Sequence, residues 1–162
     1  MRFSKFAISI AALLLSSLCY AVTNSEQKTF GLGIEIGYPT GISFRSQLAP
    51  DRQFAAALGW TFDHIDAHAD HLWLQKNFIV EADVTVDGYL GAGIFLALGN
   101  DLERHSNRET QSIHVGARMP LGLKSIFLNQ RLEVFGEIVP GLQIVSSTEF
   151  ELWAAIGARY LF

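Results

Sequence analysis

The residues of this chain that could do chemistry recur at alternate positions. Asp66, His68 and Asp70 stand two apart, as do His114, Gly116 and Arg118, and Gly157 with Arg159. A period of two puts such residues on one face of a β-strand. Gathered from every alternating run, that face carries Glu35, Arg45, Asp66, His68, Asp70, His114, Arg118, Lys124, Glu133, Glu137, Glu151 and Arg159. Charges crowded onto one enclosed face persist only as pairs. The expectation is a packed network in which Arg45, Arg118 and Arg159 bridge Glu35, Glu137 and the Asp66/Asp70 pair. Lys124 and Glu133 fall at its margin. Structural filling is the preferred reading, and a proton or small-ion path is the sharper one.

Other chemistry is sparse. His105, Ser106 and Glu109 supply a base, a hydroxyl and a carboxylate within one polar stretch. Neighbours in a loop are poorly held, and catalysis needs rigid positioning. His68-x-Asp70 alone is too small a set for a metal site, and HEXXH, P-loop and paired-cysteine motifs are absent. No metal or cofactor is expected. Cys19 is the single cysteine, which excludes a disulfide framework.

Strands must position the charged face, and eight can be read. Thr29 to Tyr38 sets Phe30, Leu32, Ile34, Ile36 and Tyr38 against Gly31, Gly33, Glu35 and Gly37. Glycine weakens a strand unless something crowds that face, as inside a narrow barrel. Ile42, Phe44 and Leu48 oppose Ser43, Arg45 and Gln47 in a second strand. Phe54, Ala56, Leu58, Trp60 and Phe62 mark a third, and Asp66 to Trp73 a fourth. Residues 75–85 fit either an extension of a neighbouring strand or an irregular connection. Val86 to Leu96 forms a fifth. Residues 99–111 read as the longest solvent-facing loop. The sixth runs from about Ser112 to Phe127, with a bulge or bend at Pro120, which cannot donate to a ladder. Leu132 to Leu142 is the seventh and Glu151 to Phe162 the eighth, the last pairing back onto Phe30 to Tyr38.

The opposite face of these strands is apolar. Lipid offers no hydrogen bonds, so a membrane-spanning sheet must close on itself. An all-β, eight-stranded, antiparallel up-and-down transmembrane β-barrel follows, its lumen just wide enough to be filled by side chains. Tyr38, Trp60, Trp73, Tyr160 and Phe162 lie near strand ends, where an aromatic girdle meets the membrane surface.

Residues 1–21 read as a cleaved signal peptide. Arg2 and Lys5 precede an apolar run from Phe6 to Leu15, too short to span a bilayer, with Cys19 and Ala21 as small residues before the cut. Leu18 in front of Cys19 argues against lipidation. Residues 22–162 then form one barrel domain. Losing Arg2 and Lys5 leaves ten basic against sixteen acidic residues, a poor nucleic-acid binder.

Five segments carry a resemblance. They are residues 37–43 (Gly-Tyr-Pro-Thr-Gly-Ile-Ser), 68–73 (His-Ala-Asp-His-Leu-Trp), 118–123 (Arg-Met-Pro-Leu-Gly-Leu), 137–140 (Glu-Ile-Val-Pro) and 156–162 (Ile-Gly-Ala-Arg-Tyr-Leu-Phe). Together they resemble a family of small outer-membrane β-barrels first described in spirochaetes. His71 departs from it, standing where tyrosine is more usual. The resemblance implies an eight-stranded barrel with no catalytic residues to carry over. Ile156, Ala158, Tyr160 and Phe162 also resemble the C-terminal signal read by bacterial barrel-assembly machinery.

The leading expectation is a non-enzymatic outer-membrane barrel of a Gram-negative envelope, serving envelope structure, surface interaction or limited small-solute passage. Its partners are outer-membrane lipid, lipopolysaccharide and the assembly machinery, and it acts as a monomer. Two alternatives stand beside it. One is a lipid A acyl-modifying enzyme using His105, Ser106 and Glu109. The other is a soluble lipocalin-like binder, in which the apolar face would point inward around a ligand.

Overall fold

The structure is a computed structural model that describes residues 29–60, 64–81, 84–102, 109–145 and 148–162. The signal peptide read at 1–21 lies outside the described residues, as does Phe62. The chain forms β1 (Phe30–Gly37), β2 (Gly41–Ala49), β3 (Arg52–Trp60), β4 (His64–Glu81), β5 (Val84–Leu102), β6 (Glu109–Arg118), β7 (Leu121–Phe127), β8 (Leu132–Val145) and β9 (Glu149–Leu161).

All pairings are antiparallel, and each strand pairs with its neighbour in sequence except at one break. β6 and β7 are the two halves of a single stave: both pair with β5 on one side and with β8 on the other. β1 pairs with β9 from Gly31↔Leu161 to Gly37↔Ala155, so the staves form an eight-membered ring. Phe162 N–H donates to Phe30 C=O across this seam at 2.8 Å. The ring is the expected up-and-down topology, and the closing partner is the glycine-rich first strand.

The break falls at Met119–Pro120, but no residue is inserted there. Arg118↔Gly93 and Leu121↔Leu90 keep one register across it. Proline removes a donor, and the ladder resumes on both sides. The bulge in this stave instead lies against β8, between Val115 and Gly116.

One connection resolves between the two readings open to it, and one differs from the sequence reading. Residues 75–81 continue β4, and 84–86 begin β5, as a hairpin with a bulge between Gln75 and Ile79. Most of the segment read as a loop at 99–111 is also paired strand. Gly99↔Ser112 continues through Asn100↔Gln111 and Asp101↔Thr110 to Leu102↔Glu109. A ladder outside the apolar band needs no apolar face, so its polar composition hid it. His105 and Ser106 lie outside the described residues.

Bulk alternates with smallness around the ring, which is how a narrow lumen is filled. Arg45 stands between Gly31 and Ala55. Glu35 lies between Gly41 and Gly157, and Arg118 between Gly93 and Gly141. Arg159 stands between Gly33 and Glu133. At Gly33 a Cβ would meet the carbonyl oxygen of Ala158 and lie 2.6 Å from the Arg159 Cα. Backbone cannot yield there as a side chain can. At Gly136, on the outer face, the same atom would make ordinary contacts with Ile156 Cγ2 at 3.7 Å and the Ala155 carbonyl oxygen at 3.9 Å. Gly33→Ala is therefore expected to destabilise the β1–β9 seam by about 1–3 kcal/mol, the usual range for overpacking. Gly136→Ala should be near neutral. Urea midpoints of the folded, heat-modifiable gel band measure both, and equal midpoints would refute the seam argument.

Candidate functional site

The lumen holds two ion-pair clusters, one above the other along the barrel axis. The cluster nearer the chain termini centres on Glu133 of β8, which is fully buried. Glu133 is the direct cross-strand neighbour of Arg159. Its Oε1 accepts from Arg159 Nη1 at 3.1 Å, and its Oε2 from Arg45 Nη1 at 2.9 Å. Lys124 Nζ lies 3.5 Å from the same Oε2 and donates to Gln53 Oε1 at 2.9 Å. Three cations from β2, β7 and β9 thus share one carboxylate.

Arg159 also ties this cluster to β1 and β2. Its Nη2 donates to Ser43 Oγ at 2.7 Å, and that hydroxyl donates to Glu35 Oε2 at 2.7 Å. The direct Arg159–Glu35 approach is longer, 3.9 Å. The Arg159 guanidinium sits 3.8 Å from the Phe135 ring centroid, a cation–π contact.

The second cluster centres on Arg118. Its Nε lies 3.1 Å from Asp70 Oδ1, and its Nη2 lies 3.0 Å from Glu137 Oε1. Tyr89 donates its hydroxyl proton to Glu137 Oε2 at 2.7 Å. His68 Nε2 stands 3.5 Å from Asp70 Oδ2. Gly93, between Asp70 and Arg118 in the register, leaves the room that lets them meet.

The remaining inward residues sit at the mouth opposite the termini. Asp66 accepts from the Tyr38 hydroxyl at 3.1 Å and meets no arginine among the described residues, which differs from the expected Arg bridge. Its level in β4 is two inward steps beyond Asp70, past His68 and out of reach of Arg118. Glu151 and His114 line a small cavity with Tyr38 and Gln143, away from both clusters. Glu133 and Lys124, placed at the margin by sequence, are instead at the centre. Glu133 is the second residue of β8 and Lys124 the middle residue of β7, and alternation alone does not say which inward residue will sit at the centre of a cluster. Ser43, Gln53, Tyr89 and Phe135 were also missed as members. Their signal was available: each is an inward position among small or charged neighbours.

Tyr38 is the second correction. It does not join the outward aromatics. Gly37, at φ 142°, ends β1 and breaks the alternation, so Tyr38 turns inward and stacks on Trp153 with centroids 5.0 Å apart. Trp60, Trp73, Tyr160 and Phe162 are all exposed on the outer face. Trp60 lies at one end of the barrel; Trp73, Tyr160 and Phe162 lie at the other, where Tyr160 and Phe162 meet edge to face.

Chemically, this arrangement fills and rigidifies. The charges of the two clusters are consumed by one another, and no hydroxyl, thiol or imidazole stands in a base-activated pair opening onto a substrate-sized cleft among the described residues. Nor do three His, Cys, Asp or Glu side chains gather there as a metal site. Of the nucleophile–base set read at His105, Ser106 and Glu109, only the backbone of Glu109 is described, at the start of β6.

The fold is similar to that in the crystal structure of the N-terminal β-barrel domain of Pseudomonas aeruginosa OprF, with a TM-score of 0.60 and 14% sequence identity. The match covers 82% of this chain and 95% of that one, and at this identity it speaks to fold. No curated protein matches the chain. A family model described as Protein of unknown function (DUF3996) matches residues 22–161, so the chain belongs to that family.

Proposed function

We propose that this protein is a non-enzymatic integral outer-membrane β-barrel whose lumen is plugged by its own side chains. One observation carries the reading: the ring is inside out relative to a soluble barrel. Outward Ile34, Ile94 and Ile156 are 61%, 63% and 64% exposed, while inward Glu133 and Glu35 are 0% and 1% exposed. An apolar belt around a charged interior is costly in water and favourable in lipid. The lipocalin-like alternative needs the reverse arrangement. The OprF-like fold is consistent with the membrane reading.

Several finer features follow from it. Turns at the termini end are short, at Ala49–Arg52 and Phe127–Leu132. Short turns mark the periplasmic side of such barrels, so on this reading the mouth at the Trp60 end faces outward. Trp60 would then sit in the outer aromatic girdle, with Trp73, Tyr160 and Phe162 in the inner one. Ile156, Ala158, Tyr160 and Phe162 face outward on the last stave, where assembly machinery could read them. Lipid and lipopolysaccharide are the contacts of the belt. The protein acts as a monomer reached through a cleaved signal peptide, in envelope structure, surface interaction or limited solute passage.

Single cysteines at 113, 115 and 117, against 114, 116 and 118, test the belt. Odd positions should react with lipid-dissolved maleimide and even positions should not; recovery of the protein as a soluble periplasmic monomer would sink the proposal. A second expectation concerns the plug. Glu133→Gln strands Arg45, Lys124 and Arg159 without their shared partner, and removing one side of a buried pair costs about 3–5 kcal/mol. Asp51→Asn, at an exposed pair with Arg52, should cost under about 1 kcal/mol. Denaturant midpoints compare them. In planar bilayers the parent should be silent, and steady single-channel openings would refute a plugged lumen.

A further inference from the structure

We propose that the barrel mouth opposite the termini is a binding site for a small organic ammonium ion. A cavity of about 150 Å³ opens there, lined by Tyr38, Phe95, Ala97, His114, Gln143 and Glu151. Two of its lining residues, Tyr38 and Phe95, are aromatic and pack on Trp153 behind them. Tyr38 lies nearly parallel to Trp153, with centroids 5.0 Å apart, and Phe95 meets the same indole edge-on at 4.9 Å. Aromatic faces attract alkylated cations, which give up their weak hydration at little cost.

The sequence makes room for these rings. Phe95 lies opposite Gly116 in the ladder. A Cβ on Gly116 would collide with the Phe95 ring, and one on Gly141 would lie 2.7 Å from Trp153 Cη2. Ala97 stands between Asp66 and His114 on successive strands and keeps the centre open. The rings are therefore seated by small residues on the neighbouring staves.

Charge at this mouth is negative among the described residues. Glu151 lines the cavity, and among those residues no hydrogen bond or ion pair reaches its carboxylate. Asp66 is 5% exposed, and a tyrosine hydroxyl is its partner. The buried carboxylates of Asp70 and Glu133 are instead held by arginine or lysine. Among the described residues this mouth combines carboxylates that meet no cation with a space lined in part by aromatic rings. Its donors do not gather as a metal site among the described residues. An engineered apolar cavity of about 150 Å³ takes benzene, and tetramethylammonium is of similar size.

The site belongs to the barrel itself and does not depend on lipid around it. The test uses the full chain refolded in detergent micelles, with Trp60→Phe and Trp73→Phe so that Trp153 alone reports. Tetramethylammonium chloride should change its fluorescence saturably. Sodium chloride at equal ionic strength and neopentyl alcohol, a neutral analogue of similar shape, should not. Glu151→Gln and Tyr38→Leu should each weaken binding by about fivefold or more, in the range of one cation–aromatic or exposed charge contact, while Tyr38→Phe should keep it. Gel heat-modifiability checks that each variant is folded. Absence of saturation, equal binding of the alcohol, or unchanged affinity in a folded Glu151→Gln variant would overturn the proposal. If Glu151→Gln does not fold, the comparison of cation with alcohol on the parent decides.

Discussion

Closing eight staves into a ring leaves a lumen barely wider than the side chains that enter it. Most other features answer to that width. Large inward residues are accommodated by small neighbours or by bonding to each other. Glu133 and Arg159 stand side by side, and they are an ion pair. Arg45, Glu35 and Arg118 instead face glycine or alanine on both sides. The glycines of β1 would weaken an open sheet. Here Gly31 and Gly33 border Arg45 and Arg159, and closure follows from their smallness.

The same width explains why charge fills the core. The outer face takes the apolar residues, so the inner face must be built from what remains. Long cations reach across the axis, and carboxylates on facing staves receive them. Arg45 of β2 meets Glu133 of β8, far apart in sequence and three staves apart in the ring. Such pairs bring little net stability over an apolar filling, since desolvation offsets attraction. They do penalise a slipped register, because a shift by one residue would drive charges into the belt.

Much of this was legible in the sequence because period two survives in every stave. The belt, the ring and the Arg118–Asp70–Glu137 group follow from alternation and from the rule that buried charges pair. Legibility fails where alternation is interrupted or uninformative. Gly37 reverses the face of the next residue, so Tyr38 reads as girdle and is lumen. Residues 99–111 read as loop because a ladder outside the belt carries no apolar signature. Glu133 and Lys124 stand on ordinary inward positions, and strand position alone does not say which carboxylate will gather three cations. That is a three-dimensional fact: Arg45, Lys124 and Arg159 converge only once the ring is closed.

The two ends of the lumen are therefore not equivalent. Toward the termini, Arg45, Lys124 and Arg159 outnumber Glu133 and Glu35. Beyond Arg118 the surplus is acidic, with Asp70 and Glu137 sharing one guanidinium and Asp66 and Glu151 lacking any. A cation entering at the acidic mouth, or an anion entering at the basic one, meets favourable charge first and opposing charge behind it. The tyrosine, serine and phenylalanine contacts at Glu137, Glu35 and Arg159 fix these groups in place, so opening a path would require several bonds to break together. A lumen built this way can hold a cation at one mouth without passing it through, and that separates binding from conduction in a barrel too narrow to do both.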